Sequence, residues 1–204
     1  MTKDYQRPVA CSVHEIEIKN SRFIAIIAPA FRAEDCAELL NRAQTEWPKA
    51  SHYCTASIVG SPTNQPTLAS SDDGEPSGTA GRPMLMVLQN AGLGDIAAVV
   101  VRYFGGTKLG TGGLQRAYSQ SVAEALETLK TELVVYRCNY QLSYPYELQG
   151  NIESLWKQFD IRVVQSDFAE RVKQTVGVIP EQLDALQAKL DAVSQGQVKL
   201  TLVD

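Results

Sequence analysis

The chain has 204 residues, 44% hydrophobic and 21% charged, an ordinary globular composition with room for one or two cores. A net charge of −4 argues against a generally basic nucleic-acid coat. There is no 18-residue apolar run, and residues 1–10 are polar, with Lys3 and Arg7 and no hydrophobic stretch behind them; neither a membrane span nor a secretory signal is indicated, and the expected location is cytoplasmic.

In chain order, residues 12–19 alternate Val13, Glu15 and Glu17 against His14, Ile16 and Ile18, and residues 23–27 are an apolar run, with Asn20-Ser21 between them. That pattern predicts a β-hairpin. Cys36, Leu39, Leu40, Ala43 and Trp47 then have helical spacing, with Pro48 as the stop, and their face is core. Residues 52–60 read as a strand, followed by a long loop over residues 61–77; a loop of that length marks function or disorder. Its last part, residues 70–77, has turn chemistry throughout and predicts an exposed acidic loop carrying Asp72, Asp73 and Glu75.

Thr79 is the expected N-cap of a helix to about residue 91, with Pro83 in its first turn and Gly92 as its end. Residues 96–101 are a continuous apolar, β-branched run, read as a strand buried on both faces, which Arg102, Tyr103 and Phe104 carry out of the core. Residues 105–113, Gly-Gly-Thr-Lys-Leu-Gly-Thr-Gly-Gly, form a loop that delivers into an amphipathic helix carrying Leu114, Ala117, Tyr118, Ser121, Val122, Ala125, Leu126 and Leu129, to about residue 130.

Most of the 14 glycines lie between residues 70 and 118. Glycine weakens helices and strands, so this density indicates that something approaches the backbone. A glycine-rich loop at a helix N-terminus suits an anion, because free N–H groups and the helix dipole hold negative charge without a dedicated side chain. Arg102, Lys108 and Arg116 are the charged residues of the stretch from 102 to 116, and none there is acidic. The loop lacks the Gly-Lys-Ser/Thr of nucleotide hydrolases and the GxGxxG of dinucleotide folds. Tight strand-to-helix packing is the competing account of its glycines. For the acidic trio, Mg²⁺ binding, hydrogen bonding to glycine-rich backbone and helix capping all remain open, with capping and loop closure favoured. His52 has no assignable partner that would make it a general base, so a structural or contact role is favoured. Cys11, Cys36, Cys54 and Cys138 contain no CxxC and read as reduced thiols buried on strands, in preference to a zinc site built from Cys11, His14, His52 and Cys54.

Beyond residue 137 the pattern changes. Tyr140, Leu142 and Tyr144 alternate as a strand, and Leu148, Ile152, Leu155, Trp156 and Phe159 are helical in spacing. Residues 161–164 and 172–179 are strands, Leu183, Leu186, Leu190 and Val193 a helix, and Val198, Leu200 and Leu202 a last strand. The order βαββαβ is ferredoxin-like. With 7 basic and 9 acidic residues, any RNA contact there would rest on a local patch.

The run Ser71-Asp72-Asp73-Gly74-Glu75-Pro76-Ser77-Gly78-Thr79-Ala80-Gly81-Arg82-Pro83, with Arg102-Tyr103-Phe104-Gly105-Gly106-Thr107-Lys108-Leu109-Gly110 and Gly113-Leu114, resembles the motif pair of the IMPACT family in its bacterial YigZ branch. The resemblance covers the whole chain. It implies an α+β fold in two domains: residues 1–136, a ribosomal-protein-type βα domain similar to domain four of elongation factor G, and residues 137–204, a ferredoxin-like domain similar to domain five of that factor. It also implies a translation-associated regulatory protein whose partner is RNA, the ribosome or a translation factor. The binding residues expected on these grounds are His52, Asp72, Asp73, Glu75, Arg82, Arg102, Tyr103, Phe104, Gly105, Gly106, Lys108, Gly110, Gly112, Gly113 and Arg116. Tyr103 or Phe104 would stack on a base. No catalytic residue, metal or cofactor is expected. A phosphotransferase-like enzyme and a peptide-binding module are the alternatives, and all three readings use a cleft between the acidic and the glycine-rich loops.

Overall fold

The two apolar runs without polar alternation lie between two layers of helices. The computed structural model describes residues 4–203, so that Lys3 and Asp204 of the segments read above lie outside the described residues. The first of two units, Met1–Val134, consists of β1 (Tyr5–Pro8), β2 (Ser12–Ile18), β3 (Ser21–Pro29), α1 (Ala33–Glu46), β4 (His52–Val59), β5 (Thr67–Ser71), α2 (Gly81–Asn90), β6 (Ile96–Tyr103), α3 (Thr111–Glu127) and β7 (Thr131–Val134). Five strands form an antiparallel sheet in the order β2-β3-β6-β4-β5. Successive strand residues point to opposite faces. Phe23, Ala25 and Ile27 of β3 and Ala98 and Val100 of β6 pack with Met84 and Leu88 of α2 and Leu114, Tyr118 and Val122 of α3. Ile24 and Ile26, with Ala97, Val99 and Val101, pack with Leu39 and Ala43 of α1. Both faces are covered, which is why neither strand has a polar side.

Local departures from the sequence reading have identifiable causes. The hairpin turn is Lys19-Asn20, one residue earlier than expected, because Ile18 pairs with Ser21; both turn residues have positive φ, +49° and +64°, as a two-residue hairpin requires. The loop over 61–77 contains a strand: β5 pairs with β4 from Val59↔Thr67 to Thr55↔Ser71, yet all its side chains are exposed. It is an edge strand held by backbone bonds, so no apolar alternation marks it. Thr79 does not cap α2. Its hydroxyl donates to the Pro76 carbonyl at 2.6 Å, while the carboxylate of Asp72 accepts from the N–H groups of Gly78, Ala80 and Gly81 at 2.7, 3.0 and 2.8 Å. A side chain from the end of β5 therefore supplies the cap, and the close approach requires Gly81, whose added Cβ would lie 2.7 Å from the Ser71 backbone. The helix expected from Leu114 begins at Thr111, so Gly112 and Gly113 belong to its first turn. β1 and β7, unpredicted, pair from Tyr5↔Val134 to Pro8↔Thr131.

The second unit, Val135–Asp204, contains β8 (Cys138–Tyr144), α4 (Gln149–Gln158), β9 (Arg162–Phe168), β10 (Val172–Val178), α5 (Leu183–Ser194) and β11 (Thr201–Leu202). The antiparallel order β11-β8-β10-β9 is that of a ferredoxin-like βαββαβ domain. Leu142, Tyr144, Val172 and Val176 of the sheet pack with Ile152, Leu155 and Trp156 of α4 and with Leu186 and Leu190 of α5. The last strand is shorter than expected. Val198 is buried before it begins, because its N–H donates to the buried Ser194 hydroxyl (3.1 Å) and Gln187 bonds the Val198 carbonyl and the Leu200 N–H, at 3.1 and 3.0 Å.

The four cysteines are free thiols, but of them only Cys54 is fully buried on a strand; Cys36 lies on α1, and Cys11 is exposed ahead of β2. His14 bonds Glu124 at 2.9 Å on the far side of the sheet from β4, with β3 and β6 between, so the residues weighed for zinc do not converge. Among the described residues no helix is long and apolar enough to cross a membrane.

Two outcomes are expected. Isolated residues 135–204 should give a folded α/β circular-dichroism spectrum and a cooperative melt, since their core is their own; a random-coil spectrum would contradict this. Burial opposes ionisation of Asp72, but its three backbone N–H bonds outweigh that and hold the carboxyl below the ordinary range. A depressed folded value means stability that is complete above the unfolded value and lost as pH falls through the folded one. Asp72→Ala should therefore cost about 1–3 kcal/mol in urea unfolding at pH 7, a difference that shrinks below about pH 4.

Candidate functional site

The site grows from one buried carboxylate. Glu75, expected in an exposed acidic loop, is only 8% exposed. Its Oε1 accepts from Arg102 Nη1 at 2.5 Å and from the Tyr118 hydroxyl at 2.7 Å. Arg102 correspondingly does not leave the core at the end of β6. It is 5% exposed, with its guanidinium 5.3 Å from the ring centroid of Phe23 and 5.6 Å from that of Phe104. Phe23 and His52 are its cross-strand neighbours on β3 and β4. An arginine closing an apolar strand is kept inside because the turn after β5 brings a carboxylate to it; neither charge could stay buried alone.

His52 and Cys54 complete the cluster from β4. The His52 Nδ1–H donates to the Asp73 carbonyl at 2.7 Å, leaving Nε2 3.9 Å from Glu75 Oε2. Cys54 Sγ donates to the Asp72 carbonyl at 3.1 Å and lies 3.4 Å from the Tyr118 hydroxyl. Burial, with the neighbouring carboxylates, pushes the Cys54 thiol up to about 12, and burial followed by Cys54 and Glu75 drives the Tyr118 phenol well above its ordinary range. Both stay protonated at neutral pH, so neither is a ready nucleophile. The remaining acidic residues hold backbone: Asp72 caps α2, and Asp73 Oδ2 accepts from the Tyr53 N–H at 2.6 Å.

Next to this cluster is a pocket of about 360 Å³, lined by Glu75 and Pro76 of the acidic turn and by Arg102, Phe104, Lys108 and Leu109, with Gly110, Thr111 and Leu114 at the start of α3. Gly110 is the N-cap at φ +73°, and no side chain among the described residues caps the helix; the Leu114 N–H, bonded to the Gly110 carbonyl at 2.9 Å, closes the first turn. Lys108 is exposed and has no hydrogen-bond or ion-pair partner among the described residues, and Phe104 is 49% exposed. The arrangement offers helix N–H groups, a lysine, a buried guanidinium and an open aromatic face to one small anionic group.

Other expected site residues fall elsewhere. Tyr103 turns to the opposite face of the sheet, where it packs in the core beside α1 and its hydroxyl donates to the Pro48 carbonyl at 3.0 Å. Arg82 lines a separate cavity of about 480 Å³ with Gly78, Met86 and Gln115 between α2 and α3, and Arg116 lines neither. The glycines divide. Gly105 is there for packing, because its added Cβ would lie 2.0 Å from the Asn20 backbone, and Gly106 for its φ of +86°. Gly113 is tight against Leu109 (3.0 Å), whereas a Cβ on Gly112 would meet nothing within 4 Å. Sequence reasoning placed Tyr118 among the core positions of an amphipathic helix and missed its role. The available signal was its hydroxyl, which needs a partner when buried on an apolar helix face.

Comparison with known proteins covers both units. Residues 19–126 match the Impact N-terminal domain, and residues 142–197 match a domain family of unknown function, DUF1949. An IMPACT family member of Haemophilus influenzae is 37% identical over 98% of each chain, and IMPACT family member YigZ of Escherichia coli is 39% identical over 92% of each. IMPACT family member YvyE of Bacillus subtilis is 35% identical over 90% of this chain and 84% of its own. A crystal structure of a hypothetical protein, 37% identical, superposes with a TM-score of 0.77 over 100% of this chain and 99% of that one. With both halves matched in order, the chain belongs to the IMPACT family.

Proposed function

We propose that the protein is a translation-associated regulatory protein that binds RNA, on the ribosome or free, through the cleft between the acidic turn and the glycine-rich loop. Family membership supports a translation-related regulatory role. The observation that carries the finer reading is the pocket at the N-terminus of α3, with Lys108 beside it unpartnered among the described residues and Phe104 open at its edge. Phosphate contacts supply most of the affinity of such interfaces, and an exposed aromatic ring supplies stacking on an unpaired base. The overall charge of −4 does not oppose this, since the basic residues of the loop act locally.

Phosphoryl transfer is supported less well by the same geometry. Such an enzyme needs metal ligands and a positioned nucleophile. Asp72 and Asp73 are engaged by backbone N–H groups, Glu75 is neutralised by Arg102, and the Cys54 and Tyr118 protons are held tightly.

Sedimentation with ribosomes and with free structured RNA across a salt series tests the reading. Binding should weaken with salt, and Lys108→Ala should reduce the slope of log affinity against log salt by about one phosphate contact while leaving the melting temperature nearly unchanged. Unchanged affinity would remove the loop from the interface. Arg102→Ala is the contrasting variant. It leaves the Glu75 carboxylate buried without its counter-charge, and should cost about 3–5 kcal/mol in thermal or urea unfolding.

A further inference from the structure

We propose that the pocket at the N-terminus of α3 is a site for a nucleoside phosphomonoester, the terminal dianionic phosphate of one nucleotide, in preference to the diesters along an RNA chain. This deepens the binding reading above and rests on it for the presence of RNA. Three features point to such a ligand. Arg102 lines the pocket, is 5% exposed and directs one N–H to Glu75, yet its Nε is buried with no hydrogen-bond partner. A buried unmet guanidinium donor is costly and uncommon, and an incoming acceptor satisfies it. The first turn of α3 has no side-chain cap among the described residues, so its leading N–H groups, beginning with that of Thr111 on the pocket wall, are open to an anion. Lys108 lines the same pocket without a partner of its own among the described residues. Gly112, in the same turn but outside the residues that line the pocket, has an ordinary φ and open space around its missing Cβ, so neither backbone strain nor packing asks for glycine there.

Charge and size select the monoester. The Arg102 charge is matched by Glu75, which leaves Lys108 and the helix end, together about +1.5, unmatched. A phosphomonoester carries about −1.5 to −2 at pH 7 and presents three terminal oxygens, whereas a diester carries a single charge and has two. The pocket volume, about 360 Å³, sits at the lower end of small-ligand sites. Leu109 and Leu114 give it an apolar wall, and Phe104 a ring on which the base stacks. Glu75 Oε2, free of hydrogen bonds among the described residues and 3.9 Å from His52 Nε2, is an acceptor for a sugar hydroxyl, which inorganic phosphate lacks.

The ligand has two sources, a free nucleotide or a phosphorylated RNA end. Calorimetric titration of the full chain with AMP, adenosine and single-stranded RNA hexamers bearing a 5′-phosphate, a 3′-phosphate or hydroxyls at both ends separates them. AMP is expected to bind where adenosine does not, and one phosphate-ended hexamer to bind about tenfold or more tighter than the hydroxyl-ended one. Lys108→Ala should erase that preference without lowering the melting temperature. AMP binding with no discrimination among hexamers assigns the site to a free nucleotide. Equal binding of all hexamers with no AMP binding overturns the monoester assignment and leaves the RNA reading standing. AMP binding without ribosome or RNA association removes the RNA reading and keeps the site, and failure of every probe overturns both.

Discussion

A carboxylate taken out of water must be met by a positive charge and by donors, and in this protein that requirement fixes the site. Glu75 arrives from the turn after β5, Arg102 from the end of β6 and Tyr118 from the second turn of α3, and all three meet on one oxygen. The net stabilisation from such a pair is small, because desolvation offsets most of the attraction. Its effect is geometric. The acidic turn, the central strand and the helix that carries the glycine-rich N-terminus cannot shift independently without stranding a buried charge. Both walls of the pocket are thereby held in register by residues that lie beneath it.

The architecture was legible where side-chain periodicity is set by burial. The unbroken apolar run of β6 reported a strand covered on both faces, and the spacing of Leu114, Ala117, Tyr118, Val122 and Ala125 reported the inner face of α3. The ferredoxin-like half was readable for the same reason, from Tyr140 to Leu190. What was not legible depended on contacts distant in sequence. β5 has no buried side chain to betray it, the cap of α2 is reached from the end of β5, and Arg102 looks like a strand exit until Glu75 is brought to it.

The site was legible in composition and not in arrangement. Glycine density drew notice to the loop, but glycine enters there for unlike reasons. At Gly105 the backbone of Asn20 leaves no room, at Gly106 and Gly110 the φ angle demands it, and at Gly112 nothing in the protein does. Sequence cannot separate these cases, because each is defined by what lies on the other side of the missing Cβ. The basic residues show the same limit. Arg82, Lys108 and Arg116 are similar in the sequence, and of the three only Lys108 is placed in the pocket beside α3.

The short ladder of β1 with β7 has a consequence at the scale of the whole first unit. Tyr5 stands opposite Val134 and Pro8 opposite Thr131, so the polypeptide enters and leaves this unit at one place, side by side and in opposite directions. A fold whose two ends are adjacent behaves as a cassette: it can be spliced into a longer chain, or cut and rejoined at another loop, without tearing its five-stranded sheet. The ladder makes the unit portable in architectural terms, with its pocket carried along intact.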